Sequence, residues 1–503
     1  MAVNRRDFLK LMGAGAGAAL VSSPVLQALA SPALPTTLRP PLAATEQDPI
    51  IHMLNRVSFG ARPGQVEAVR KMGIQAFLDQ QLDPARLDDS ASEARLGDLI
   101  TLDMTPAEMI AAGKTKRDVI VELDSATVMR AIYSQRQLFE VMVNFWSEHF
   151  SIYHQKGACD LLKTADDRDV IRQHAIGNFR DLLGASAKSP AMLIYLDNAE
   201  SRKEHPNENY AREVMELHTV TIGSYTEQDV KEVARCFTGW SVRGLREQDA
   251  GSFIFRPRLH DNRQKTVIGH VIPAGGGIKD GEQVLDILAA HPNTAKHLAS
   301  KLCRRFIADD PPAAVVERVA QTYLSTGGDI KSMLRVIFAS DEFLNAPPKF
   351  KRPFEYMISL ARAFDVDNNG MLRPVVLQQL KAMGHLPFDW VTPNGYSDYS
   401  AEWMDNLLLR WNLAIQMVYG TVRGMKIDVI KLARSNGAIM TARGVLDFYA
   451  QHLLGRPFSV PELDALWQFA ARNGEPALNN PAGRRTLIDA IALIAASPAY
   501  QYR

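Results

Sequence analysis

Chemistry in this sequence has one dense polar stripe to start from. The stretch 206–218 carries Glu208, Asn209, Arg212, Glu213 and Glu216. On a helical wheel with Glu208 at the origin these five residues span about 140°, and Tyr210, Ala211, Val214, Met215 and Leu217 fill the rest. Three carboxylates beside an arginine and an amide can hold a hard cation or supply an acid/base pair, with Arg212 as anion clamp. The same pattern also fits an exposed helix face laced by Glu208 and Arg212 at i, i+4. His218 falls near 280° on that wheel, away from the carboxylates, so a one-face Glu/His metal motif is not supported. The chain contains no HExxH, and a metal site would have to be assembled from several helices.

His149 is the second candidate. Leu138, Met142, Trp146, Phe150 and Tyr153 share one arc of the helix that contains it, and His149 lies inside that arc, with Asn144 and Glu148 on the opposite, solvated side. A histidine on an apolar face needs a partner or stays neutral. It serves either as a core histidine bonded to a carbonyl or as a ligand or base. His260-Asp261, with Lys265 nearby, sits in a polar loop between two short β-prone runs and makes a natural ligand and ligand-orienting pair. Trp390 and Trp403 bracket Asp389 to Tyr396, which reads as an aromatic wall for a ligand or as an anchored loop. Gly275-Gly276-Gly277 lacks the lysine of a phosphate-binding loop, and no GxSxG elbow occurs.

The elements that must position these groups are nearly all helical. Helical spacing runs through 117–153 without Pro or Gly, as one long helix or two abutting ones. Further helices read at 166–184, 207–221, 226–240, 281–290, 293–307, 313–326 and 329–339. Beyond Pro347-Pro348 they continue at 353–365, 374–383, 401–420, 441–454, 460–473 and 481–496. The β signal is Ser252 to Arg256 with Lys265 to Gly269, expected to pair as one small hairpin. The expected fold is mainly α: a main helical domain over 49–345 with the hairpin near 252–269, and a C-terminal helical subdomain over 346–503. No repeat of solenoid length is visible.

Totals narrow the function classes. The chain has 503 residues, with 57 basic and 56 acidic side chains, so no global field favours nucleic acid or an anionic membrane. Its three cysteines, Cys159, Cys236 and Cys303, are too few for a disulfide framework and form no CxxC pair. At the N-terminus, Arg5-Arg6-Asp7-Phe8-Leu9-Lys10 has the form of a twin-arginine export signal. A Gly/Ala-rich stretch follows, and Ala28-Leu29-Ala30 offers the cleavage pattern. Residues 1–30 are therefore expected to be a signal peptide and 31–48, rich in Pro, Ala and Thr, a flexible linker. The mature chain has no transmembrane stretch and is expected to fold before export and work in the periplasm or outside the cell.

Several of these motifs occur together in one family. Arg56 to Gly60, Phe145-Trp146 with His149-Phe150, Phe179 to Leu183, Tyr195 to Asn198, Asn207 to Glu213, Met215 to Thr219, Tyr225 to Val230, Thr238-Gly239-Trp240, His260-Asp261 with Lys265-Thr266, and the Trp390 to Trp403 stretch all match. On these the chain resembles the bacterial "domain of unknown function 1800" family of secreted proteins from about residue 49 onward. Glu148 stands where that family more often has Asn. The resemblance supplies no reaction, and it implies a partner resembling exported sulfatases or phosphatases. It adds weight to a polar pocket between the helices around 149 and 207–219, closed by the 260–265 loop. There Glu213 and Glu216 would be ligands or acid/base groups, Arg212 an anion clamp, and His149 a ligand or base. His260 and Asp261 would complete a divalent metal site, and Glu208, Asn209, Lys265, Trp240, Trp390 and Trp403 would contact the ligand. The expected function is an extracytoplasmic metal-dependent enzyme, hydrolytic or oxidative. The alternative is a non-catalytic binding or assembly protein that holds an exported partner or an envelope polymer.

Overall fold

Helix signals at the site translate directly into structure. The computed structural model describes residues 23–30, 47–244, 247–368, 372 and 374–503. The arginine pair Arg5-Arg6 and most of the linker fall outside them. The end of the expected signal peptide does not: Pro24–Leu29 (α1) is a helix with Val25, Leu26, Ala28 and Leu29 buried.

The helices that frame the site are Lys116–Tyr133 (α2) and Gln137–His149 (α3), separated where Ser134 turns to extended backbone. Cys159–Asp166 (α4), Glu208–Glu216 (α5) and Glu227–Cys236 (α6) come next. Beyond the strands lie Ile278–Ala290 (α7), Pro292–Phe306 (α8), Ala313–Thr326 (α9) and Ile330–Phe338 (α10). Pro353–Ala363 (α11), Leu407–Val418 (α12) and Pro481–Ala496 (α13) follow. The fold is mainly α. Many helix starts carry the cap their sequence implies: Thr226 accepts from the Asp229 amide and Asp229 returns to Thr226, satisfying amides that the helix leaves free.

Strand pairing differs from expectation. Trp240–Val242 (β1) pairs with Phe253–Phe255 (β2), and Lys265–Val267 (β3) pairs with His270–Ile272 (β4), giving two separate two-stranded ribbons. The cause is the turn at Ile268-Gly269, where both residues have positive φ, 48° and 78°. Two consecutive left-handed residues make the tight turn that folds β3 straight back on β4, leaving β2 to find β1.

One apolar core runs from the N-terminal helices to α13 without a break at residue 345. Phe59 meets Phe354 edge-on at 5.6 Å, and α2 packs against α11. Behind the site the core is charged. Glu355 on α11 receives Arg305, Arg352 and Arg503, all of them buried.

Candidate functional site

Three segments meet at an open cleft of about 430 Å³: the C-terminal end of α3, one face of α8, and the loop from Gly384 to Asn406. Each is placed by its sequence. On α8, Ala295, Leu298, Ala299, Leu302, Cys303 and Phe306 are buried at helical spacing. His297, Lys301 and Arg304, at i, i+4 and i+7, are thereby brought together along the cleft. The loop is held by its aromatic residues. Tyr396 donates its hydroxyl to the Leu386 carbonyl at 2.8 Å, Trp403 donates to the Ser397 carbonyl at 2.9 Å, and the His385 ring stacks on Trp403 at 4.8 Å. Gly395 presses on the backbone of Glu148 so closely that a Cβ there would collide with the Glu148 carbonyl.

His149 points inward as expected, and its bonds fix its tautomer. Nε2 lies 3.1 Å from the His218 carbonyl oxygen, which can only accept, so Nε2 carries the proton and Nδ1 is the acceptor. Lys301 Nζ donates to that Nδ1 at 3.0 Å. Burial, reinforced by Lys301 and by the His218 and His297 rings, holds His149 well below the usual histidine range, so it is a neutral spacer. Burial also lowers His218 to about 3 and His297 to about 4, with Lys301 the next influence on both. His297 reaches the Leu217 carbonyl at 3.0 Å.

Two further groups are tuned toward neutrality. Burial lowers Lys301 to about 8, against the pull of Asp398 and Glu148. Burial raises Glu148 to about 7, against Arg352 and the amide of Tyr396, which donates to its Oε2 at 3.0 Å. The placing of Asn144 and Glu148 on a solvated side is therefore overturned. The face opposite the aromatic arc of α3 is covered by α11 and the loop; Asn144 is buried and accepts from Arg352 at 2.7 Å. Asp398 lies in the cleft wall, where burial would raise it, but Arg352, Arg305, Lys349 and Lys301 outweigh burial and hold it low.

The other expected site residues do not converge on this cleft. Arg212 forms a two-pronged pair with Glu227 at 2.7 and 2.8 Å on the surface, and Asn209 donates to Asp197 at 3.3 Å. Glu208 stands 3.9 Å from Arg212. Glu216 accepts from the Tyr225 hydroxyl at 2.8 Å, and Glu213 is raised by partial burial and by Glu216. The α5 stripe is thus a surface lattice in which each residue has a local neighbour. His260 lies in a different buried cluster, with Nε2 3.0 Å from Asp280 and Nδ1 2.8 Å from the Thr238 carbonyl. Lys265 also pairs with Asp280. Arg263 and Arg235 grip Asp261 and hold its carboxyl well below the usual range, so both of its oxygens are already engaged. Trp240 is fully buried between Phe237 and Phe253, Trp403 is 7% exposed, and neither lines this cleft. Trp390 lines the cleft. Among the described residues no group of three or more His, Cys, Asp or Glu side chains is arranged to hold a metal ion.

The groups that do converge are His149, His297, Lys301, Arg304, Glu148 and Asp398, walled by Trp390, Tyr396 and Tyr399. Only His149 and Trp390 were singled out from sequence. The stripe on α8 is as regular as the one on α5, and its combination of His, Lys and Arg on one helix face was the signal available.

A family model described as "Protein of unknown function (DUF1800)" matches residues 52–502. The chain belongs to that family. No curated protein and no solved structure matches it. In this DUF1800 member the cleft residues come from the N-terminal half of the matched span, through α3, and from its C-terminal half, through α8 and the loop.

Proposed function

We propose that this DUF1800 protein is an exported enzyme that performs acid/base chemistry in the cleft between α3, α8 and the 384–406 loop, with Glu148 and Lys301 as the proton-transferring pair. The observation that carries the reading is their convergence: one cleft holds a carboxyl raised to about 7 and an amine lowered to about 8, each shifted chiefly by burial. Groups tuned toward the working pH from opposite sides are what proton transfer at neutral pH requires. His149 supports the pair by holding the Lys301 amine. Because Glu148 replaces the Asn more usual in the family, its part in the chemistry is assigned to this chain alone. Export rests on the N-terminal arginine motif.

The test is a panel of glycosides, esters, amides and phosphate or sulfate esters, assayed with the wild-type chain and Glu148→Gln. Turnover of one class, reduced at least ~100-fold in the variant, is expected. Equal turnover by both proteins overturns the reading.

A second reading, non-catalytic binding of an exported partner or envelope polymer, draws on the exposed apolar side chains of the same loop. Val391, Tyr399 and Met404 are 63%, 40% and 44% exposed. Capture of a polymer by wild type and by Glu148→Gln alike, without turnover, would favour it.

A further inference from the structure

Two cations line the cleft without a carboxylate in contact among the described residues. Among the described residues neither Lys301 nor Arg304 makes an ion pair. Lys301 donates to the neutral ring of His149, and Arg304 uses Nε on the Asp309 carbonyl at 3.0 Å. The Arg304 guanidinium lies over the Tyr399 ring at 4.4 Å, which orients its fork without consuming its remaining N–H groups.

The nearby carboxylates are committed elsewhere. Asp398 faces Arg352 at 3.5 Å and Arg305 at 3.8 Å, Glu148 accepts from the Tyr396 amide, and Asp309 takes Lys349 and the Ser400 amide. Glu402 is exposed at the rim. Behind the wall the cations Arg305, Arg352, Arg503 and Lys349 outnumber Glu355, Asp398 and Asp309. Buried arginines elsewhere end on backbone carbonyls: Arg362 on those of Gly60 and Ile132, and Arg56 on those of Phe306, Ile307 and Pro347. Lys301 and Arg304 instead face a cavity.

We infer that the cleft binds an oxyanion carried on a ring: the carboxylate, phosphate or sulfate sits between Lys301 and the Arg304 fork, and the ring lies against Trp390 and Tyr399. This names the substrate class of the proposed enzyme and rests on that reading only for its placement beside Glu148. A guanidinium fork held over an aromatic face suits a bidentate oxyanion, and the aromatic wall supplies the apolar contact that an inorganic ion would leave unused.

Titration calorimetry of the full chain with phenyl phosphate, benzoate and neutral benzamide tests it. Saturable binding of one or both anions is expected, weakening as salt is raised, with benzamide at least about tenfold weaker. Which anion binds more tightly separates a tetrahedral from a planar head group. Arg304→Gln, with an unchanged far-UV spectrum and melting temperature, should lose at least about tenfold in affinity, and Arg304→Lys should recover only part of it. Equal affinity for benzamide, no saturable binding of either anion, or full affinity in a folded Arg304→Gln overturns the inference. Failure here leaves the acid/base reading standing. Conversely, Glu148→Gln that keeps both anion affinity and turnover sinks the acid/base reading and leaves this subsite in place.

Discussion

Lys301 donates to Nδ1 of His149 across 3.0 Å, while the Nε2 of the same ring is committed to the carbonyl of His218 at 3.1 Å. The ring thus transmits a backbone position on one side to an amine position on the other. His149→Phe keeps the ring volume but leaves both the His218 carbonyl and the Lys301 amine without a partner. A loss of roughly 1–3 kcal/mol in urea unfolding is expected, the cost of stranded buried polar groups. Lys301 should titrate below its value of about 8, because its charged form loses an acceptor. An unchanged Lys301 titration, followed by NMR of the methylated amine, would show that His149 does not position it.

Glu148 makes a signed prediction for stability against pH. Its carboxyl rises from 4.5 to about 7 on folding, with burial the main cause. Between those values the folded state holds a proton that the unfolded state has released, so stability falls as pH rises through the window and levels off above it. The effect is on the order of 3 kcal/mol at most. Glu148→Gln keeps an acceptor for the Tyr396 amide without the ionisation, so it should be more stable than wild type at pH 8 and similar at pH 4.5. Denaturant curves at the two pH values decide it; a variant less stable than wild type at pH 8 contradicts the burial argument.

The histidines act in the opposite sense. His149, His218 and His297 are all lowered from 6.5 by burial. Below pH 6.5 the unfolded chain takes up protons that the folded cluster refuses, so their contribution is present above 6.5 and is lost as pH falls toward the folded values near 4 and 3. His297→Gln should flatten the acid limb of the stability profile by about one proton's slope. An unaltered slope would mean that the ring is not buried in neutral form.

Much of the helical frame was legible, since termini such as Ala313 and Pro481 follow from Pro and capping signals that act locally. The wheel also placed His149 inward. It failed for Glu148 because α3 is covered on both sides, and amphipathicity cannot report a polar face that is buried against other polar groups such as Arg352. The ribbon pairing was hidden for a different reason: Ile268 adopts positive φ, a conformation that sequence reading assigns to Gly, Asn or Asp. The α5 stripe uses residue types common to surface lattices and catalytic constellations, so the sequence left both readings open, and it gave no sign that Glu227 would stand opposite Arg212.

Helix α1 bears on processing. Val25 and Leu29 are 0% and 3% exposed and pack with α13, although cleavage after Ala30 would remove them. A chain beginning at Ser31 should be less stable than one beginning at Ser23 by a few kcal/mol, from the apolar surface left open on α13. Equal melting temperatures and equal binding of a hydrophobic dye would show that this helix contributes nothing.

Asp280 is the hub of the second buried cluster: it receives Lys265 and lies 3.0 Å from His260 Nε2. All three side chains are buried, so replacing the carboxylate strands a cation in the interior. Asp280→Asn should cost about 3–5 kcal/mol. Adding Lys265→Met should recover part of the loss, because the stranded charge disappears with the lysine. The cluster lies outside the cleft, so anion affinity of the folded Asp280→Asn protein should match wild type. Strictly additive losses would mean that Lys265 does not depend on Asp280. A fall in anion affinity would mean instead that the cluster takes part in the site, which would restore to His260 and Lys265 the ligand role read from their sequence.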